Sequence, residues 1–530
     1  MADVGPLLDA LTARLRPLEI EANKAWWQAS TAVSDEHERR RVVTDVALRE
    51  ALGDVVVFGQ VRDALAATGA PSGNGADLER RQLEVLYDRA LPHQVPADLR
   101  AELVELDAQI DGTFNAFRGR IEGVEVDDNA ISQILRGSDD ADERRRAWEA
   151  SKQVGAEVAE RVREQARLRN RAARHLGARD HFALALATSE LDEARLFATL
   201  DEVDRATEGP FTLWKAELDD TLARRFDCAT AALRPWHYDD PFFQEPPTAG
   251  SVDLDPWLEQ HDLDAVTLRT YDGLGLDVRS VLERSDLLPR DGKSQHAFCI
   301  DVDHEGDVRV LSNNRPSEYW AGTMLHEFGH ALYDTRVDPD LPWLLRSMHP
   351  LATEGVAMLF GRLTRDVEWL RAVAEIEQNE LDALAPSLAT ARRASLLTFA
   401  RWVLVMTHFE RGLYAEPEAD HTSRWWDLVE RFQQIRRPEG RDDPDWAAKI
   451  HVALAPVYYQ NYLYGELVAS QLQAMLRDRA GGIVDREGAG TLLVDEFFAP
   501  GLSLRWDALV ERATGEPLTA RHLAAELRTD

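Results

Sequence analysis

The sequence predicts a mainly α-helical fold with one short strand pair, and three observations predict it. Long charged segments carry apolar residues at combinations of three- and four-residue spacing, as in Trp148, Val154, Val158, Val162 and Leu168. Strand-like patterning is confined to two neighbouring runs near residue 300. With 530 residues, 44% hydrophobic and 29% charged, the chain can bury a large core.

Taken in order, a glycine-rich break from Thr68 to Gly75 separates a first helical region from a second. A proline-rich aromatic loop, Pro235 to Gly250, is expected to mark a boundary between lobes. Residues 1–250 then read as a mainly helical part that covers a cleft, and 251–530 as the catalytic part of the same two-lobed domain. The predicted strands are Gln295–Asp303 and Asp307–Ser312, joined by a tight turn through His304, Glu305 and Gly306. Ser317 caps a helix that runs to about Asp334, and Pro350 opens another that contains Glu354. There is no internal repeat and no low-complexity tail.

The charge balance excludes some partners. Against 61 Lys and Arg stand 94 Asp and Glu, a net charge of −33, which disfavours phosphate backbones and anionic lipid surfaces. No nucleic acid and no membrane partner is expected. Two cysteines, Cys228 and Cys299, make neither a disulfide framework nor a zinc cluster and suit a reducing compartment. With no apolar run of signal or spanning length, the expected location is cytoplasmic.

His326-Glu-Phe-Gly-His330 lies in the middle of the helix capped by Ser317. At about 100° per residue, positions four apart share one helix face, so both imidazoles can reach a single Zn²⁺ while Glu327 flanks it. Chance would produce about 0.04 such patterns in a chain with this many histidines and acids. A catalytic zinc needs a third protein ligand and an open position. Tyr333 and Arg336 stand where the three-histidine pattern has Gly and His, so that class is excluded. Glu354, 24 residues beyond His330 on the next predicted helix, is the candidate third ligand. Asp334, Asp338, Asp340 and His349 compete with it, but residues in or beside a connecting loop are more often solvated or capping. Such a site, one Zn²⁺ per chain with Glu327 as proton acceptor, is suited to hydrolysing peptide bonds, although zinc and glutamate alone do not choose amides over esters.

With these residues the chain resembles the gluzincin metallopeptidases, and the angiotensin-converting-enzyme-like peptidyl-dipeptidases more than the thimet-type oligopeptidases. The resemblance covers roughly residues 290–470. His296-Ala297, 30 residues before His326, is similar to the family's substrate-pairing edge strand. Lys449-Ile-His451 resembles its Lys-x-His, which implies that Lys449 holds the substrate's terminal carboxylate and His451 stabilises the oxyanion. Tyr459 and Tyr462 resemble a pair of tyrosines three apart, implying a further carboxylate donor and an oxyanion donor. Gln244 resembles a glutamine that binds the same carboxylate. The implied fold is a two-lobed helical shell with a deep central cleft and a short β-hairpin beside the zinc helix. The implied activity is release of C-terminal dipeptides from oligopeptides.

Three departures matter. The tyrosine pair lies one residue further from His451 than in the family pattern, leaving Tyr458 a rival to Tyr459. Gln460 and Asn461 stand where the pattern has an arginine that binds chloride, which speaks against chloride activation. Met358 stands where an Asp usually buttresses a ligand histidine, so the support of the ligands is not assigned by sequence. A zinc oligoendopeptidase or metallocarboxypeptidase would use the same machinery, and an inactive zinc-bearing peptide-binding module is a further alternative.

Overall fold

A computed structural model describes residues 4–68, 78–247 and 252–528. Beyond Thr68 the glycine-rich break lies outside the described residues, as does the end of the Pro235–Gly250 loop. The protein is mainly helical, with two antiparallel two-stranded hairpins among the described residues.

The chain forms two compact units, each assembled from three stretches. Unit 1 comprises 1–94, 252–388 and 464–522; unit 2 comprises 95–251, 389–463 and 523–530. One boundary coincides with the end of the Pro235–Gly250 loop, but the units do not follow the simple division into 1–250 and 251–530. The chain passes between units within three helices, Gln378–Ala415, Tyr459–Ala480 and Arg521–Glu526.

Unit 1 begins with the helix Gly5–Thr31. Its Leu8, Leu11 and Leu15, spaced three and four apart, form one apolar stripe that packs with Leu52, Val61, Leu83, Leu86 and Trp343. Ser34 and Asp54 cap the next two helices, accepting from His37 N and from Val56 N and Val57 N. The predicted hairpin is present but shorter than its sequence pattern: β3, Phe298–Asp301, pairs antiparallel with β4, Val308–Leu311. His296 and Ala297 therefore precede the strand rather than lie in it. Both predicted helices near the motif are observed, Glu318–Asp334 with Ser317 accepting from Trp320 N, and Pro350–Gly361 with Pro350 in its first turn.

In unit 2 the helix Ala141–His175 buries Trp148, Val154, Val158, Val162 and Leu168, the stripe that its spacing predicts. The loop from Pro235 folds onto this helix. The buried Arg144 donates to Trp236 O and to Asp239 Oδ1, each at 2.7 Å, and Trp148 Nε1 donates to Pro241 O at 2.9 Å. A second hairpin, β1 (Gly119–Ile121) and β2 (Val124–Val126), is absent from the sequence reading. Its strands have three residues each, too few for alternation to register, and its only signal is the turn at Glu122 and Gly123, both at positive φ.

Candidate metal centre

The helix Glu318–Asp334 is anchored by a fully buried side that includes Met324, Leu325, Phe328, Ala331 and Leu332. Tyr271 donates its hydroxyl to Leu325 O at 2.8 Å from the neighbouring helix. Helix Pro350–Gly361 can come close because Gly329 has no side chain: a Cβ there would lie 3.1 Å from Ala357 Cα. On its other side this helix meets the unit 1 part of Tyr459–Ala480, where a Cβ on Gly465 would lie 3.0 Å from Glu354 Cγ. These two close approaches bring Glu354 onto the face carrying His326 and His330.

His326, His330 and Glu354 offer ligand atoms that all lie within 4.8 Å of one another, and no other described residues form such a group. His326 Nε2 is 3.8 Å from Glu354 Oε1, and His330 Nε2 is 3.9 Å from Glu354 Oε2. Tetrahedral zinc with bonds of about 2.0–2.1 Å needs its ligand atoms roughly 3.3–3.4 Å apart, so a closure of about half an ångström would complete the geometry. Thr353, next to Glu354, places its hydroxyl 2.6 Å from His330 Nδ1. Donation from Nδ1–H to that hydroxyl leaves the Nε2 lone pair for a metal.

The electrostatics suit a cation. Burial pushes His326 down to about 4, and burial with His326 nearby pushes His330 well below its usual range, so both rings are neutral donors. Burial, then the charge of Glu466, raises Glu354 to about 7. Burial and Glu354 together raise Glu327 to about 8, opposed by the N–H that Cys299 of β3 donates to it. Neutral imidazoles beside carboxyls that resist ionisation form a site whose missing positive charge a dication would supply.

None of the competing residues, Asp334, Asp338, Asp340 and His349, belongs to this group. Asp338 accepts from Asp340 N, and His349 Nδ1 accepts from Leu351 N as the cap of the next helix. Asp334 is the last residue of the motif helix, as its sequence predicts, and is half-buried; burial and the charge of Asp301 raise its pKa.

A cavity of ≈ 560 Å³ within unit 1 opens beside the group and is lined by His326, Glu327, His296 and Ala297. His296 is exposed, and the backbone N–H and C=O of Ala297 have no partner among the described residues. Tyr319, Trp320, Met358, Arg362 and Glu466 also line it, and Arg362 Nη2 meets Glu466 Oε2 at 2.6 Å. Sequence reading missed this ion pair and Thr353. Adjacency to Glu354 pointed to Thr353, but its direction depends on how the two helices cross.

Unit 2 gathers the remaining candidates. Lys449 Nζ donates to Gln244 Oε1 at 2.8 Å, and lies 5.4 Å from the ring centres of Phe242 and Trp402 and 5.6 Å from that of Tyr459. Gln244 is held there because Asp240 Oδ1 accepts from the backbone N–H groups of Phe242 and Gln244. Burial pushes Lys449 down to about 8, against the charges of Asp240 and Glu245. The His451 ring is 4.9 Å from that of Tyr459, which is 5.6 Å from that of Tyr462. The Tyr459 ring meets both Lys449 and His451, and Tyr458 stacks edge-on against Tyr462.

No protein-family model matches the chain, and no curated protein matches it significantly.

Proposed function

We propose that this protein is a zinc-dependent peptidase that acts on oligopeptides and releases dipeptides from free C-termini. The observation that carries the reading is the triad of His326, His330 and Glu354 with Glu327 beside it and Thr353 on the back of one imidazole. His326 Nε2, His330 Nε2 and the Glu354 carboxylate would hold the ion. When bound, zinc supplies a Lewis acid that activates water and polarises a carbonyl.

The rest is the work of this chain's side chains. Glu327 takes the proton from the attacking water and returns it to the leaving amine; its pKa near neutrality in the absence of a cation marks it as a group that holds a proton readily. Next to a dication it ionises more easily and can serve as the base. The free backbone groups of Ala297, beside His296, pair with an extended peptide through main-chain hydrogen bonds. The family resemblance assigns the terminal carboxylate to Lys449, Gln244 and Tyr459 and the developing oxyanion to His451 and Tyr462, roles of the latter kind being worth about 10²–10³ in rate each. No described helix is long and apolar enough to cross a membrane. The two unpaired cysteines favour peptide turnover in the cytoplasm.

The test is product analysis on a defined peptide library together with metal quantification. Dipeptides from free C-termini, lost with a chelator and restored by zinc, are expected. Glu327→Gln should retain the metal and lose about 10²–10⁴ in kcat. Internal cleavage regardless of the C-terminus would replace dipeptidase by endopeptidase, and single-residue release would give a carboxypeptidase. Peptide binding without cleavage by both wild type and variant would establish a binding module.

A further inference from the structure

Val457 occupies a backbone region that β-branched residues avoid, with φ at +54°. It sits in the turn between helix Ile450–Leu454, which carries His451, and helix Tyr459–Ala480, which begins with Tyr459. Two side chains grip it. Its N–H donates to Glu410 Oε1 at 2.7 Å, and its carbonyl accepts from Gln460 Nε2 at 2.6 Å. Glu410 and Gln460 are each only 1% exposed. Arg169 fixes the preceding helix by donating to Ala453 O at 2.7 Å.

The Glu410 side chain makes no other hydrogen bond among the described residues; its second oxygen is buried without a partner there. Such a group is costly to keep, and its one hydrogen bond goes to the strained residue. The turn joins the helix that carries His451 to the one that begins with Tyr459. A left-handed residue reverses the chain within one position, and the His451 and Tyr459 rings remain 4.9 Å apart.

We propose that Glu410 and Gln460 are positioning residues, which lock Val457 in its left-handed conformation and thereby set His451 against Tyr459 and the following Tyr462. The structural half stands on the turn itself; the functional half rests on the peptidase reading given above. Burial pushes Glu410 up to about 8, so the group is largely protonated at neutral pH and glutamine copies it closely.

The experiment compares Glu410→Leu, Glu410→Gln, Gln460→Ala and Val457→Gly, singly and with Val457→Gly added to each of the first and third. Crystal structures of the full-length variants, metal content and kcat/KM on a peptide with a free C-terminus are measured. Glu410→Leu and Gln460→Ala are expected to release residue 457 from positive φ, separate the two rings and lower kcat/KM by about tenfold or more, with metal content unchanged. Glu410→Gln keeps the acceptor and should stay within about threefold of wild type. Glycine at 457 adopts positive φ without a grip, so it should restore ring spacing and rate in both damaged variants. If Glu410→Leu does not fold, Gln460→Ala alone decides. An unchanged turn in the folded variants, or a loss that glycine does not rescue, overturns the proposal. If wild type cleaves no peptide, the peptidase reading falls and the crystal structures alone judge the positioning claim.

Discussion

The Thr353 hydroxyl lies 2.6 Å from His330 Nδ1, and it immediately precedes the carboxylate that faces the other nitrogen of the same ring. One turn of helix thus contacts the His330 ring from behind and places a carboxylate in front of it. Thr353→Val should lower zinc affinity by about 10–100-fold without changing the fold, and Thr353→Ser should restore most of it. Competition titration against a chelator of known affinity checks this. Equal affinities for all three proteins would remove Thr353 from the support of the site.

The glycine at 465 is expected to act on the metal through Glu354. A Cβ there would meet Met358 Sδ at 2.9 Å and Glu354 Cγ at 3.0 Å. Gly465→Ala should therefore displace the glutamate, lowering zinc affinity at least about tenfold and stability by about 1–3 kcal/mol. Adding Met358→Ala makes room and should recover part of both, read by metal titration and urea unfolding.

Lys449 gives a pH signature. Burial holds its folded pKa at about 8, so its charge is present below that pH and is lost as pH rises through it. KM for a peptide with a free C-terminus should rise above about pH 8, whereas KM for the amidated peptide should not follow. Lys449→Met should cut kcat/KM about tenfold or more on the free peptide, matching a charge-assisted contact of about 1.5–3 kcal/mol, and much less on the amide. Identical pH profiles for the two peptides would dissociate Lys449 from the carboxylate.

His304 ties the β3–β4 turn to the first helix. Its Nδ1 is 3.1 Å from Asp301 Oδ2 and its Nε2 is 3.2 Å from Glu19 Oε1. Burial disfavours its charge, but the hydrogen bonds and charges of Asp301 and Glu19 outweigh that and raise it to about 10. A raised folded pKa contributes stability that is full below the unfolded value of about 6.5 and is lost as pH rises through about 10. His304→Gln should cost about 3 kcal/mol at pH 6 and distinctly less at pH 10.5, by urea unfolding at both pH values. An equal cost at both would mean that the ring acts by packing alone.

Much of the local structure was legible in the sequence because it depends on neighbours along the chain. Ser317 caps its helix through a contact three residues away, and His326 and His330 share a face because helical geometry puts them there. The β3–β4 hairpin is shorter than its sequence reading: the expected strand begins at Gln295, whereas pairing begins at Phe298. The β1–β2 hairpin was missed because three residues carry too little pattern.

The sequence by itself determined that this chain is mainly helical, that one helix presents two imidazoles and a glutamate at helical spacing, and that Glu354 follows on the next helix. Only the tertiary structure decided that Glu354 reaches both rings, that Thr353 backs one of them, that Gln244 meets Lys449 from 205 residues away, and that the Tyr459 ring stands beside Lys449. The reason is physical. Spacing along a helix is fixed by backbone geometry, but the approach of two helices depends on which surfaces lack a side chain, as at Gly329 and Gly465, and that appears only when the surfaces meet.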